Sequence, residues 1–255
     1  MMKITFLGTG TSQGVPVIAC DCLVCQSKDT RDKRLRSSIL IQTETTSVVI
    51  DTGPDFRQQM LREKVYRLDA VVFTHEHKDH VAGMDDVRAF NYKQKKDMDV
   101  YATNRVQEAL IREFPYVFSD YKYPGVPQVQ LHTIDADNTF RIGDITLQPI
   151  EVMHYKLPVL GFRINDFVYI TDANSISNQE KEKIKGCKVL VINALRKEKH
   201  ISHFTLEEAL SLAQELGAAQ SYLTHISHLM GSHQSVLEEL PKGVEIAYDG
   251  LQVLT

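Results

Sequence analysis

His75-Glu-His-Lys-Asp-His80 places three imidazoles and the Asp79 carboxylate within six residues. The run before it, Ala70-Val-Val-Phe-Thr74, is apolar and β-rich, so the motif sits where a buried strand emerges into a loop. Imidazole and carboxylate at this density suit a borderline divalent ion. Alternation lets His75 and His77 serve one ion while Asp79 and His80 turn towards a second. The motif holds three of the chain's 10 histidines, which sets it apart from an ordinary polar loop.

The same arrangement recurs further along the chain. His154 follows Ile150-Glu-Val-Met153, Asp172 follows Val168-Tyr-Ile-Thr171, and His225 follows Ser221-Tyr-Leu-Thr224. Strands whose ends converge on one edge would gather all these groups around one cleft on a rigid scaffold. Other β-rich runs are Lys3–Leu7, Ser38–Gln42, Val48–Asp51, Val100–Ala102, Ile145–Met153, Gly161–Ile164, Phe167–Thr171, Lys188–Ile192 and Glu245–Tyr248. Helical patterns fall between them at Phe56–Glu63, Met84–Tyr92, Arg105–Phe114, Asn178–Lys185, Thr205–Leu216 and Ser232–Leu240. Thr205-Leu-Glu-Glu208 has the form of a capping box. Mixed strands and helices predict a layered α/β architecture, and no linker-like stretch divides residues 1–255, which are read as a single domain.

Composition narrows the class. With 43% apolar and 24% charged residues, the chain is neither disordered nor fibrous. Its 29 basic against 33 acidic residues give a net charge of −4, which argues against a general nucleic-acid binder. No window has the roughly 18 apolar residues of a membrane span, and the start of the chain lacks a signal-peptide core. A soluble, cytoplasmic protein is expected. Three of its four cysteines, Cys20, Cys22 and Cys25, fall within six positions, a poor disulfide framework and a good metal cluster. Three thiolates there need one more ligand to close a tetrahedral zinc site. Cys187 reads as an ordinary buried residue.

Together these residues resemble the metallo-β-lactamase superfamily, whose signature is His-x-His-x-Asp-His followed by a His, an Asp and a late His. The resemblance runs from Phe6-Leu-Gly-Thr-Gly10 through Asp51-Thr-Gly53 to His225. It implies a four-layer αββα sandwich. One ion would take His75, His77 and His154, the other Asp79, His80 and His225, with Asp172 bridging. Asp172 in place of a cysteine resembles hydrolases of phosphodiesters and thioesters and argues against a β-lactamase of the cysteine-using kind. Asp51 is expected to support the ligand loop from behind.

The Cys-rich loop resembles that of the phosphoribosyl cyclic phosphodiesterases, with His228, three residues after His225, as the candidate fourth ligand of a structural zinc. His203-Phe-Thr205 resembles the His-x-Thr element of phosphodiesterase members, which makes His203 the candidate general acid beside Asp79 and Asp172, with His200 as the alternative. The implied function is hydrolysis of a small cyclic phosphate or nucleotide diester by a hydroxide held between two divalent ions, zinc or manganese. Alternatives are an RNA-processing endonuclease, a thioester hydrolase and a pyrroloquinoline quinone biosynthesis protein. The expected partner is a small-molecule phosphodiester, not a membrane or nucleic acid, and a homodimer is compatible.

Gly8-Thr-Gly-Thr-Ser-Gln-Gly14 lacks the ending of a nucleotide P-loop and reads as a tight turn beside the site. Phe114–Tyr123 carries five aromatics in ten residues, suited to stacking on a sugar or base, or to a hydrophobic lid or dimer contact. His132 and His233 have no such context and read as surface residues.

Overall fold

A computed structural model describes residues 1–121 and 123–255. The first sheet gathers β1 (Lys3–Gly8), β2 (Ser38–Gln42), β3 (Ser47–Ile50), β4 (Ala70–Val72), β5 (Met98–Ala102) and β6 (Val129–Thr133). Between these strands run α1 (Phe56–Arg62), α2 (Lys78–Val81), α3 (Arg88–Gln94), α4 (Asn104–Glu113) and α5 (Pro115–Phe118). The second sheet holds β7 (Phe140–Ile142), β8 (Ile145–His154), β9 (Leu157–Ile164), β10 (Phe167–Tyr169), β11 (Val189–Asn193), β12 (Gln220–Thr224) and β13 (Val244–Ile246). Its helices are α6 (Asn178–Ile184), α7 (Leu206–Leu216) and α8 (His233–Glu239), and β14 (Gln252–Leu254) returns to the first sheet beside β1.

Alternation along the strands builds the layers. In β1, β3 and β10, Ile4, Phe6, Val48, Ile50, Phe167 and Tyr169 face the core between the sheets. Leu7 and Val49 point outward onto Phe56, Phe90, Val106 and Leu110 of α1, α3 and α4. Val168 and Leu190 point to the other outer face, onto Ile184, Ala209, Leu212 and Val236 of α6, α7 and α8. Because both faces of each sheet are covered, the central strands read as unbroken apolar runs. The architecture is the expected αββα sandwich.

Strands β3 to β6 run parallel, as do β10 to β13. The loops that leave the carboxyl ends of β4, β10 and β12 therefore emerge on one edge, where ligands bind in open α/β sheets. Backbone bonds from Leu160 to Thr74 (3.1 Å) and from Ile226 to Thr9 (2.8 Å) tie the sheets together there.

Three strands escape the sequence pattern. β6, β7 and β14 lie at or next to sheet edges, and their half-exposed side chains leave no apolar run to detect. The helix expected over Met84–Tyr92 begins as a 3-10 turn at Met84–Val87 and turns α-helical only from Arg88. The Thr205 capping box forms as expected, with Glu208 donating its backbone N–H to the Thr205 hydroxyl (3.2 Å) and its carboxylate accepting from the Thr205 N–H (2.9 Å).

A candidate metal centre at the sheet edge

The structure brings together every residue of the motif and its recurrences. His75, His77 and His154 form one donor group, and Asp79, His80, Asp172 and His225 a second; within each, ligand atoms lie within 4.8 Å of one another. His203 joins His154 and Asp172 in a third such group, its ring 4.6 Å from His154 and 4.9 Å from His225. Asp172 thus belongs both to the second group and to the one that holds the proton-donor candidate.

Backbone geometry at the strand ends turns these side chains inward. Asp51, Asp172 and His225 each adopt left-handed φ, at 65°, 56° and 57°, immediately or shortly after β3, β10 and β12. Non-glycine residues seldom occupy this region, and such conformations persist where the surroundings over-determine them. Gly53 and Gly83 explain how two loops pack so closely. A Cβ on Gly53 would lie 2.1 Å from the Asp79 carbonyl oxygen, and one on Gly83 the same distance from that of Gly53. Asp51-Thr-Gly53 thereby clamps the metal-type motif, with Thr52 donating its N–H to the His80 carbonyl at 2.8 Å.

One ring nitrogen of His75, His80, His154 and His225 is occupied from behind. His80 Nδ1 donates to Asp51 Oδ2 (2.7 Å), and His154 Nδ1 to the Ser202 carbonyl (2.9 Å). His75 Nδ1 donates to Thr74 Oγ1 (2.9 Å), which itself donates to Asp51 Oδ2 (2.8 Å). His225 Nδ1 lies 3.1 Å from Ser37 Oγ, whose own proton goes to the Gly10 carbonyl. These partners select the tautomer that leaves Nε2 bare on His75, His80 and His154. Among the described residues, the buried Nε2 atoms of His75 and His80 have no hydrogen-bond partner. His80 Nε2 lies 3.2 Å from oxygens of both Asp79 and Asp172, in a geometry that makes no hydrogen bond.

The electrostatics fit a cation. Burial holds His75, His77 and His225 below the usual imidazole range, in the neutral form that ligates metal. Burial opposes ionisation of Asp79 and Asp172 too, but His80 outweighs it at Asp79, and His225 with His80 at Asp172, holding both carboxyls low. His80 is driven the other way: burial works against its charge, yet Asp79, Asp172 and Asp51 favour a positive charge there, which without a cation is a proton on Nε2 and with one would be the cation itself. Three carboxylates converging on one imidazole, beside bare neutral ring nitrogens, is the donor chemistry of a divalent ion site.

The second cluster also assembles. Sγ of Cys20, Cys22 and Cys25 lie 3.3, 3.4 and 3.5 Å from His228 Nδ1. A tetrahedral zinc with ordinary sulfur and nitrogen bond lengths has edges of about 3.6 Å. The Cys25 N–H and His228 lower the Cys22 thiol to about 6, while burial raises Cys25 to about 11.

His203 is buried, its flank fixed by the Phe204 N–H on the Ala173 carbonyl at 2.8 Å, and its Nδ1 has no partner. Burial, then His225, lowers it to about 3. His200 stands half-buried, its ring centroid 5.1 Å from that of His203. Asp51 does support the loop from behind, and Gly10 and Thr11 flank His225.

Two readings need correction. His233 is buried, because its N–H donates to buried Asp32 (2.6 Å) and its Nδ1 faces the buried Arg34 guanidinium (3.4 Å). His132 is half-buried, held by Asp99 (2.7 Å) and stacked on Tyr101. The sequence reading missed Ser37 and the threonines of the site. A signal for the latter was present: Thr74, Thr171 and Thr224 each directly precede a ligand-type residue, and Thr171 Oγ1 donates to Asp172 Oδ2 at 2.6 Å.

Residues 46–226 match the family described as the beta-lactamase superfamily domain. The chain is 41% identical over 255 residues to an octanoyltransferase of Porphyromonas gingivalis; the match takes in 99% of this chain and 51% of that protein, so the chain spans about half the length of that relative. It is 25% identical to a ribonuclease Z of Methanopyrus kandleri, over 99% of this chain and 97% of that one. A solved structure of a diphosphatase from the PhnP family is 37% identical, with a TM-score of 0.93 over 99% of this chain and 96% of its own.

Proposed function

Since the chain belongs to the beta-lactamase superfamily domain family and is a metal-dependent hydrolase of that superfamily, we propose that it hydrolyses phosphodiester or diphosphate bonds of small molecules. The observation that carries this reading is the position of Asp172, which adjoins both the second donor group and His203. His75, His77 and His154 would hold one divalent ion, zinc or manganese, and Asp79, His80, Asp172 and His225 a second. Ions so held supply a water of lowered pKa and neutralise charge on the phosphoryl oxygens.

The chain's own residues do the rest. Asp51, Thr74, Ser37 and the Ser202 carbonyl fix the imidazoles, so that little reorganisation accompanies the reaction. His203, whose Nδ1 has no partner among the described residues, would pass a proton to the departing oxygen. Burial keeps the ring neutral, and an anionic diester drawn beside it would favour the imidazolium. Such a donor contributes about 10²–10⁴-fold. Cys20, Cys22, Cys25 and His228 would hold a structural zinc that ties the Cys-rich loop to the segment carrying His225.

The 37% identity and full overlap with the diphosphatase support phosphorus–oxygen chemistry. The net charge of −4 supports a small substrate over tRNA. Octanoyl transfer is named for a protein about twice this length, of which this chain matches 51%.

The test is turnover of bis(p-nitrophenyl) phosphate by metal-loaded protein, with a thioester as control. Asp172→Asn is the variant of choice, because Asn tolerates the left-handed backbone that Asp172 adopts. The expected result is diester turnover that falls at least 10³-fold in the folded variant. Thioester turnover without diester turnover, or full activity in Asp172→Asn, would overturn the reading.

A further inference from the structure

His203 sits on a loop with little of its own to hold it. Between β11 and α7 the chain makes an excursion in which Lys197, Glu198, Lys199 and Ile201 are exposed, and it turns back into the protein only at His203. Arg196 donates to the Glu198 and Lys199 carbonyls (3.3 and 3.1 Å), which folds the excursion onto itself and not onto the site. Lys197 pairs with Glu239 of α8 at 2.6 Å, but both side chains are exposed, and a pair in water holds little. A charged surface loop with so few fixed contacts opens at low cost. A proton donor on it needs tethers, because transfer requires the ring within hydrogen-bond reach of the departing oxygen.

Three bonds flank His203. The Phe204 N–H goes to the Ala173 carbonyl (2.8 Å), the Ser202 carbonyl accepts from His154 Nδ1 (2.9 Å), and the Ile201 carbonyl accepts from Asn174 Nδ2 (3.1 Å). Asn193, at the end of β11, secures the first, accepting from the Ala173 N–H (2.8 Å) and donating to its carbonyl (2.9 Å). Asn174 makes the last, two residues after Asp172. Its Oδ1 accepts from the N–H of Tyr155, the residue after His154, at 2.7 Å. A backbone N–H only donates and a carbonyl only accepts, so these two partners fix which way the carboxamide points. The Asn174 backbone is anchored as well, its N–H on the Met153 carbonyl at 2.8 Å. One carboxamide therefore spans the turn after His154 and the loop before His203.

The Ala173 bond is made by backbone and the Ser202 bond by a ligand-type ring, which leaves Asn174 as the tether with no other duty. We infer that Asn174 is a positioning residue for proton transfer, holding through Ile201 the His203 ring beside those of His154 and His225, at 4.6 and 4.9 Å. This rests on the phosphoryl-hydrolase reading with His203 as the proton donor. Its consequence is selective. A nitrophenolate departs without a proton, whereas a more basic phenolate needs one, so a loosened His203 costs the second kind of ester more.

Two measurements test it. In the first, metal-loaded protein is given methyl p-nitrophenyl phosphate and methyl phenyl phosphate, whose leaving groups differ in basicity. Asn174→Asp keeps the acceptor for Tyr155 and loses the donor for Ile201, Asn174→Ala loses both, and His203→Ala is the reference. The added charge of Asn174→Asp acts on both esters alike, so the ratio of their kcat/KM values is the readout. In all three variants the phenyl ester should fall about tenfold or more beyond the nitrophenyl ester, with parental metal content in Asn174→Asp. In the second, hydrogen exchange is followed by mass spectrometry on the metal-loaded parent and Asn174→Asp. Amides of residues 199–203 should exchange about tenfold faster in the variant, while those of β8 and β12 keep their protection.

An equal fall of both esters in the Asn174 variants, while His203→Ala separates them, would overturn the inference and leave the proton donor standing. Unchanged exchange over residues 199–203 would overturn it too. If His203→Ala itself fails to separate the esters, the proton-donor reading falls and this inference with it. If both esters are inert in the parent but exchange rises in Asn174→Asp, the tether stands and the phosphoryl-hydrolase reading falls.

Discussion

At the scale of single residues, the site depends on groups that touch no substrate. Asp51 accepts from His80 Nδ1, the Thr74 hydroxyl and the Thr74 N–H, so one buried carboxylate orients two imidazoles, one of them through the Thr74 hydroxyl. Asp51→Asn keeps a side chain suited to its left-handed φ of 65° but loses half the acceptor capacity. Metal affinity should fall about 10–100-fold with the fold retained, measured by competition with a chromophoric chelator. His233 leads to a prediction about stability. Burial lowers it from 6.5 to about 4, with Arg34 and Arg31 acting in the same sense, Asp29 and Asp32 opposing, and the Tyr248 ring edge-on at 5.7 Å. The unfolded chain protonates this group near 6.5 and the folded chain only near 4. Its contribution is therefore complete above pH 6.5 and lost as pH falls towards 4. Denaturation midpoints across that window should show a shallower loss in His233→Gln than in the parent.

Among elements, the decisive contact is between two loops. The turn after β3 and the loop that follows β4 interleave through Gly53 and Gly83, with Gly83 donating its N–H to the Thr52 carbonyl at 2.8 Å. Gly53→Ala would push a methyl into the Asp79 carbonyl and separate the loops. The expected outcome is loss of metal from the second donor group and a melting point several degrees lower, read by metal analysis and calorimetry on the same sample. The elements themselves were unequally legible. β2 and α1 were visible as an apolar run and an amphipathic pattern, because burial dictates their composition. β6, with only intermediate and exposed residues, was not visible, because its place comes from backbone pairing with β5.

In the whole molecule, two sheets meet at one edge, and the Cys-rich loop fastens that edge from outside. Cys20, Cys22 and Cys25 come early in the chain and His228 near its end, so closing this cluster links segments more than 200 residues apart. Cys22→Ser/Cys25→Ser should lose one metal equivalent and keep those at the sheet edge. Its melting point should drop by about 2–4 °C for each kcal/mol lost, and equal metal content in parent and variant would contradict the assignment. No helix among the described residues is long and apolar enough to cross a membrane. The sequence by itself determined the chemistry of the candidate site: His75, His77, Asp79, His80, His154, Asp172, His225 and the Cys-rich loop all announce themselves by residue type, by spacing and by following strands. It also determined the layered class, since alternation and apolar runs are local consequences of burial. Only the tertiary structure decided which groups share a cluster, which ring nitrogen is left bare, and that His233 is buried. Those properties depend on contacts between distant segments, such as Ser37 with His225 or Asp51 with His80, and no local pattern records which segments a fold will bring together.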